Sequence, residues 1–208
     1  MSRNNAIVIA IIVVVVVGSA SFFIRRDNLG TKSPSTEQSM IQPETKQSDS
    51  DIEILAKQAL DRKIPSGNEA AVKELKDLSL QLKSEPNYLQ GWLQVGILRK
   101  FLGDYDGASL AWQYASLIRP QEYIAFSNLG DLYHYYLKDF PKAEKYLRRA
   151  VDVKPDYVAG YKNLFDLYTL SYKEKKNLAE SVLLEGIKKN PGDNYLQGIL
   201  TSYRAGDL

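Results

Sequence analysis

Few side chains in this 208-residue chain could carry covalent or metal chemistry, since it has one histidine and no cysteine. Without cysteine there is no disulfide, thiolate zinc site, iron–sulfur ligation or cysteine nucleophile. His134 alone cannot form a two-histidine metal site, and no nucleophile-elbow signature accompanies it. The glycines stand singly and form no phosphate-cradling loop. We therefore expect no catalytic residue, no metal and no cofactor, and a protein that is not an enzyme.

The elements that would position any binding site are indicated by an internal repeat. Prolines at positions 86, 120, 155 and 191 are separated by 34, 35 and 36 residues. Equivalent residues recur around them: an aromatic residue at Trp92, Phe126 and Tyr161, an aliphatic one at Val95, Leu129 and Leu164, and alanine at Ala108, Ala143 and Ala179. Apolar residues three and seven apart mark one face of a helix, and each proline ends the preceding helix. The period predicts helical pairs that stack, because one pair cannot bury its apolar face alone.

This pattern resembles the tetratricopeptide repeat, a motif of 34 residues that runs from a tryptophan through small residues to a closing proline. The copies span about 87–120, 121–155 and 156–191. The first copy has Arg99 where the others have Tyr133 and Tyr168, and the third has Phe165 in place of a small residue and an insertion around 173–177. The resemblance implies an all-α solenoid of helical hairpins, wound into a right-handed superhelix. We expect looser packing in the third copy.

Flanking segments are expected to close the two ends of the stack. Helices are predicted over 51–63 and 69–83, so that 51–86 forms a degenerate or capping helical pair. Residues 192–208 are predicted to hold a C-terminal capping helix. In total we expect eight or nine soluble helices and no strands.

The first 26 residues have a different character. Sixteen of the nineteen residues from 6 to 24 are apolar, and Arg25 and Arg26 follow them. A helix of that length rises about 28 Å, which matches the hydrocarbon core of a bilayer. We therefore expect residues 1–26 to form a single-pass transmembrane anchor. The small residues at 18–21 leave a cleaved signal peptide as the alternative.

Residues 27–50 are mostly polar, and such a composition predicts a disordered linker. The charges that flank the apolar segment are nearly balanced and lean slightly toward a cytoplasmic carboxyl end. An N-terminal signal-anchor followed by a soluble domain, however, more commonly delivers that domain outside. We therefore expect the soluble domain on the extracytoplasmic side.

The resemblance also implies a binding site. In this family the first helices of successive copies line a concave groove that holds an extended peptide or a partner helix. Matched residue by residue, the groove positions include Gln94, Asn128, Asp131, His134, Asn163 and Asp166. Side-chain amides suit a peptide main chain because each offers a donor and an acceptor. The two aspartates would make the groove mildly acidic and favour a basic or neutral ligand.

The net charge of +2 gives no reason to expect a nucleic-acid partner. We therefore expect an adaptor or scaffold that binds a protein or peptide in its groove and holds it at the cell envelope. The alternative is a secreted or envelope scaffold that self-assembles after cleavage of the signal peptide, and a homo-oligomer is possible in either case.

Overall fold

Helices form the regular structure of residues 48–208, which are the residues that this computed structural model describes. That part of the chain contains nine α-helices and no strand, as the repeat pattern predicts. Their bounds are α1 (Asp49–Asp61), α2 (Glu69–Ser84), α3 (Leu89–Phe101), α4 (Tyr105–Ile118), α5 (Tyr123–Tyr135), α6 (Phe140–Val153), α7 (Val158–Asp166), α8 (Ala179–Lys189) and α9 (Asn194–Ala205). Across the same residues, no helix has the length and apolar character that crossing a bilayer requires. The predicted membrane segment at 6–24 lies outside the described residues.

Side-chain caps fix where several helices begin. The hydroxyl of Ser48 accepts a hydrogen bond from the amide of Asp51 at 3.2 Å, and the Asp51 carboxylate accepts one from the Ser48 amide at 3.3 Å. This reciprocal capping box satisfies two amides that the first helical turn leaves unpaired. As a result, α1 begins inside the stretch that composition predicts as linker.

The repeat motif positions build the core. Within each copy the first helix packs on the second, as α3 on α4, α5 on α6 and α7 on α8, and each second helix also contacts the next first helix. The spacing of six between proline and aromatic residue has a physical cause in two copies. The indole of Trp92 donates to the carbonyl of Pro86 at 2.8 Å, and the hydroxyl of Tyr161 donates to that of Pro155 at 3.1 Å.

Phe126, the aromatic residue of the second copy, has no polar atom with which to make this bond. In its place the guanidinium of Arg149 donates to the carbonyl of Pro120 at 3.4 Å. The same guanidinium lies 5.5 Å from the centre of the Phe126 ring, in the geometry of a cation–π contact. The second copy therefore satisfies the proline carbonyl with a side chain from its second helix.

The third copy buries its motif residues despite its insertion, but its helices α7 and α8 pack against each other less extensively than the helices of the first two copies, as expected. After α7 the chain forms a π-helical turn at Leu167–Ser171 and a 3-10 segment at Lys173–Leu178. These irregular segments absorb the additional residues, while Tyr168 within the π turn and Ala179 directly after the 3-10 segment are fully buried. A π turn accommodates an extra residue without ending the helix.

The predicted helical pair at 51–86 is present as two helices, but these do not pack as a hairpin of the repeat type. Helix α2 packs against α3, whereas α1 packs mainly against α4. One contact that holds α1 there comes from Arg99, whose side chain is fully buried at the position that tyrosine occupies in the other copies. Its guanidinium donates to the carbonyls of Ala59 at 2.9 Å and Arg62 at 3.2 Å, at the end of α1.

A carboxylate completes this contact. Asp104 lies 2.6 Å from the Arg99 guanidinium and 2.8 Å from Nε of Arg62, and it also caps α4 by accepting from the amide of Gly107. A cation at the end of a helix is favourable because the last carbonyls carry partial negative charge. Arg99 and Asp104 thus hold α1 on the first repeat.

Candidate binding groove

The six predicted groove residues all lie on first helices of the repeats: Gln94 on α3, Asn128, Asp131 and His134 on α5, and Asn163 and Asp166 on α7. We refer to the surface formed by equivalent positions of α3, α5 and α7 as the first-helix face. It comprises positions 94, 97 and 101 of the first copy and their counterparts 128, 131 and 135, and 163, 166 and 170, of which 170 lies in the π-helical turn that follows α7.

Two of the three amides form bonds within the stack. The amide of Gln94 donates to Glu74 Oε1 on α2 at 2.8 Å, and the amide of Asn163 donates to Asp131 Oδ1 at 2.9 Å. Asn128 has a different environment, because Ile97 holds the position on the preceding first helix that Asp131 holds for Asn163. The structure therefore does not present a ladder of three equivalent amides.

The two aspartates differ in how they are neutralised. Asp166 is buried and forms an ion pair with Lys162, one turn earlier on the same helix. Asp131 is half-buried, and burial raises its pKa to about 6, although the nearby charge of Lys100 and the hydrogen bond from Asn163 oppose this. The carboxylate of Asp131 is consequently desolvated without full compensation.

The sequence predicts that His134 lines the groove, but in the structure its side chain lies beneath the first-helix face. Its side chain is 1% exposed, and Nε2 lies 2.9 Å from Ser171 Oγ. The imidazole stacks at 3.9 Å on the ring of Tyr135, and burial lowers its pKa. Because Nδ1 has no partner among residues 48–208, the histidine and serine do not form a triad with a carboxylate. His134 is in position to support Tyr135.

Sequence reasoning missed a column of apolar side chains on the same face. Phe101, Tyr135 and Leu170 each stand nine residues after the motif aromatic, and their exposed fractions are 67%, 44% and 64%. Ile97, one turn before Phe101, is 45% exposed. The sequence signal that could have revealed them is their spacing, because large apolar side chains recur at intervals of 34 and 35 residues, the period of the repeat. We call Phe101, Tyr135 and Leu170 the apolar column.

Other polar chemistry is sparse in the described part of the chain. Residues 48–208 contain no group of three acidic or histidine side chains placed to hold a metal ion. A cavity of about 600 Å³ lies between α1, the end of α2 and α4, where Ile52, Leu60, Leu82 and Tyr114 contribute to its lining. None of the six predicted groove residues lines it.

No family model matches the chain. Two curated relatives match over 101 residues, Tetratricopeptide repeat protein 37 of Xenopus laevis at 32% identity and Superkiller complex protein 3 of Homo sapiens at 30%. The match covers 49% of this chain but only 6% of each relative.

Solved structures resemble the chain in fold. The crystal structure of MamA has a TM-score of 0.52 at 18% identity and covers 64% of this chain and 77% of its own. The MamA RS-1 ArsTM double mutant has a TM-score of 0.52 at 21% identity, with 75% of this chain and 84% of its own covered. Together with the period of 34–36 residues and the helical pairs it produces, these likenesses show that the chain resembles tetratricopeptide repeat proteins over its repeats and shares their helical-hairpin fold.

Proposed function

We propose that this chain is a non-enzymatic adaptor that binds a segment of a partner protein on its first-helix face and holds it at a membrane through residues 6–24. The observation that carries the binding part is the apolar column. Single exposed apolar residues are ordinary on protein surfaces, but these three occupy one repeat position in successive copies. Apolar side chains gathered on one face are typical of interaction sites.

Covering this column would supply part of the binding energy that a specific contact needs. Burying a large apolar side chain completely contributes about 1.5–3 kcal/mol, so three side chains that are half to two-thirds exposed contribute roughly 3 kcal/mol when covered. Tyr135 adds a hydroxyl, and aromatic residues with a polar end are frequent among the residues that dominate binding energy.

The membrane part of the proposal is supported by composition. The segment from 6 to 24 contains no charged residue and is long enough to span a bilayer as a helix. Alkaline carbonate treatment of native membranes should leave the intact chain in the pellet, and release of the intact chain would overturn the anchor. Protease added outside sealed cells should digest the soluble part if that part is extracytoplasmic, and full protection would overturn this orientation.

The binding part is tested by photo-crosslinking in the full-length chain. A photo-reactive amino acid at Asn128 or Asn163 should capture one partner in cells, whereas the same amino acid at Lys76 on α2 or Lys188 on α8 should capture less. The double substitution Phe101→Ser and Leu170→Ser should abolish that capture.

A matched control is Leu80→Ser, because Leu80 on α2 is 68% exposed, as much as Phe101, but lies off the first-helix face. It should leave capture unchanged. Equal capture from face and control positions, or equal loss in the double variant and in Leu80→Ser, would overturn the proposal.

A further inference from the structure

The first-helix face differs in chemistry along the stack. On α3 it presents Ile97 and, beside it, Phe101, both exposed. At the positions equivalent to Ile97, α5 and α7 present Asp131 and Asp166. At the position of Ile97 the face therefore changes from apolar on the first repeat to acidic on the second and third, while the apolar column continues along all three.

Of the two carboxylates, only one retains an uncompensated charge. Asp166 is paired with the ammonium of Lys162. Asp131 is held by the amide of Asn163 at 2.9 Å, and an amide donates a hydrogen bond without adding a positive charge. The ion pairs within residues 48–208 include Asp166 but not Asp131.

The nearest cation on the neighbouring first helix is engaged elsewhere. Lys100 is close enough to lower the pKa of Asp131, but its Nζ lies 5.6 Å from the centre of the Tyr136 ring and 5.8 Å from that of Trp112. Burial, together with a smaller effect of the charge of Asp166, nonetheless outweighs Lys100 and Asn163 in setting the pKa of Asp131. A half-buried carboxylate that has no ion-pair partner attracts a further cation, since desolvation strengthens charge–charge attraction.

If the face binds a partner as proposed above, the chemistry of that partner follows from these observations. We propose that the bound segment carries an apolar side chain for the surface of Ile97 and Phe101 and an arginine or lysine for the carboxylate of Asp131. Arginine fits best, because a guanidinium can bond both carboxylate oxygens and stack on an aromatic ring, and the Tyr135 ring lies on the same helix.

The distance between the apolar surface and the carboxylate of Asp131 restricts the spacing of these side chains in the partner. The bond from Asn163 on α7 to Asp131 on α5 shows that first helices of consecutive copies lie side by side, so we take the interval between them as about 10 Å. That distance corresponds to about three residues of an extended segment or six to seven residues of a helix. The apolar and basic residues of the partner are therefore separated by one of these two intervals.

A random peptide display library of 16 residues, selected on the full-length chain in detergent micelles, tests this proposal. Enriched peptides should contain an arginine or lysine at a fixed interval from a large apolar residue. Their affinity should fall about tenfold or more on Asp131→Asn, since truncating one partner of a close charge pair costs about 2 kcal/mol or more. Asp131→Glu, which keeps the charge, should restore part of the binding.

Controls separate this inference from the function on which it rests. Asp152→Asn removes an exposed carboxylate of α6 and should leave the affinity unchanged, and thermal melting should show that every variant is folded. Peptides that require Phe101 and Leu170 but lack a basic residue, or bind Asp131→Asn as well as the parent chain, would overturn the inference and leave the proposed function standing. If no enriched peptide distinguishes the parent chain from Phe101→Ser with Leu170→Ser, the proposed function itself fails.

Discussion

Ile97 and Arg99 stand two residues apart on α3, and both differ in chemistry from their counterparts in the other copies. Ile97 replaces a carboxylate and leaves the first repeat with an apolar surface. Arg99 replaces a tyrosine and holds α1 by its last carbonyls. The copies thus differ both at a surface position, that of Ile97, and at a core position, that of Arg99, and the candidate site uses the first.

Asp131 gives a prediction at this scale. Folding raises its pKa from the ordinary value of 3.8 to about 6, so the folded chain binds this proton more tightly than the unfolded chain does. The carboxyl therefore stabilises the fold least above pH 6, and its contribution declines as pH rises from about 4 to 6. At pH 7, Asp131→Asn should increase the free energy of unfolding by about 1–3 kcal/mol.

Chemical denaturation of the parent chain and of Asp131→Asn between pH 4 and 8 measures this difference. The two stabilities should converge near pH 4 and separate as pH rises. A constant difference, or a less stable variant at pH 7, would contradict the raised pKa. A variant that gains stability and loses binding would show that the parent residue is retained for function, as is common at functional sites.

Two glycines in helices should respond in opposite directions to the same substitution. A Cβ at Gly96 on α3 would lie 2.1 Å from Nε1 of Trp112, a fully buried and rigid ring. Gly96→Ala should therefore lower the free energy of unfolding by about 1–3 kcal/mol through overpacking. On α9, a Cβ at Gly198 would meet no atom within 4 Å, so Gly198→Ala should raise it by about 0.5–1 kcal/mol.

Thermal melting of the two alanine variants beside the parent chain is the measurement. The midpoint should fall for Gly96→Ala and rise for Gly198→Ala. A rise for the first variant would mean that Trp112 moves aside without cost, which would contradict the close approach of α3 and α4.

Helix α1 shows what the sequence does and does not predict about an element. Its helical period predicts a helix over 51–63, and the helix is observed within two residues of those bounds. Its packing against α4 is not predictable, because Arg99 bonds main-chain carbonyls 37 and 40 residues earlier, and carbonyls carry no sequence signature. The bond from Asn163 to Asp131 was hidden for a similar reason, since it depends on how neighbouring first helices align. The apolar column, by contrast, was visible in the spacing.

The contact made by Arg99 predicts how α1 behaves when the arginine side chain is replaced. Arg99→Tyr introduces the residue of the other two copies, so the first repeat keeps a large core side chain at that position. The carbonyls of Ala59 and Arg62 lose their donor and Asp104 loses one of its two cations. Removing one member of a buried ion pair costs about 3–5 kcal/mol. We expect amide protons of α1 to exchange much faster, while those of α5 to α8 keep their protection.

Hydrogen exchange followed by mass spectrometry resolves the two regions. Arg62→Met is the matched control, because Arg62 also contacts Asp104 but its side chain is 37% exposed, and pairs at such sites contribute about 0–1 kcal/mol. Unchanged exchange of α1 in Arg99→Tyr, or an equal effect in Arg62→Met, would contradict the role assigned to Arg99.

Across residues 48–208, successive helices contact mainly their neighbours along the chain, with the contact of α1 on α4 as the principal departure. In such a stack, the free energy of unfolding is approximately the sum of the stabilities of the repeats and of the interfaces between them. A destabilising substitution therefore affects mainly its own repeat and the adjoining interfaces. Contacts of this kind also leave the first-helix face open along the repeats. One consequence is that binding on α3 and α5 should tolerate weakening of the last repeat.

Two matched core truncations test this locality. Leu196 on α9 and Leu75 on α2 are both fully buried, and replacing either with alanine should cost about 2–5 kcal/mol. Leu196→Ala should speed amide exchange first in α8 and α9, because Leu196 covers Gly186 of α8, whereas Leu75→Ala should speed it first in α2 and α3. Helix α5 should stay protected in both variants, and peptides selected on the parent chain should still bind Leu196→Ala. Uniform acceleration along the chain would mean that the helices unfold as one cooperative unit, and the first-helix face would then depend on both ends of the stack.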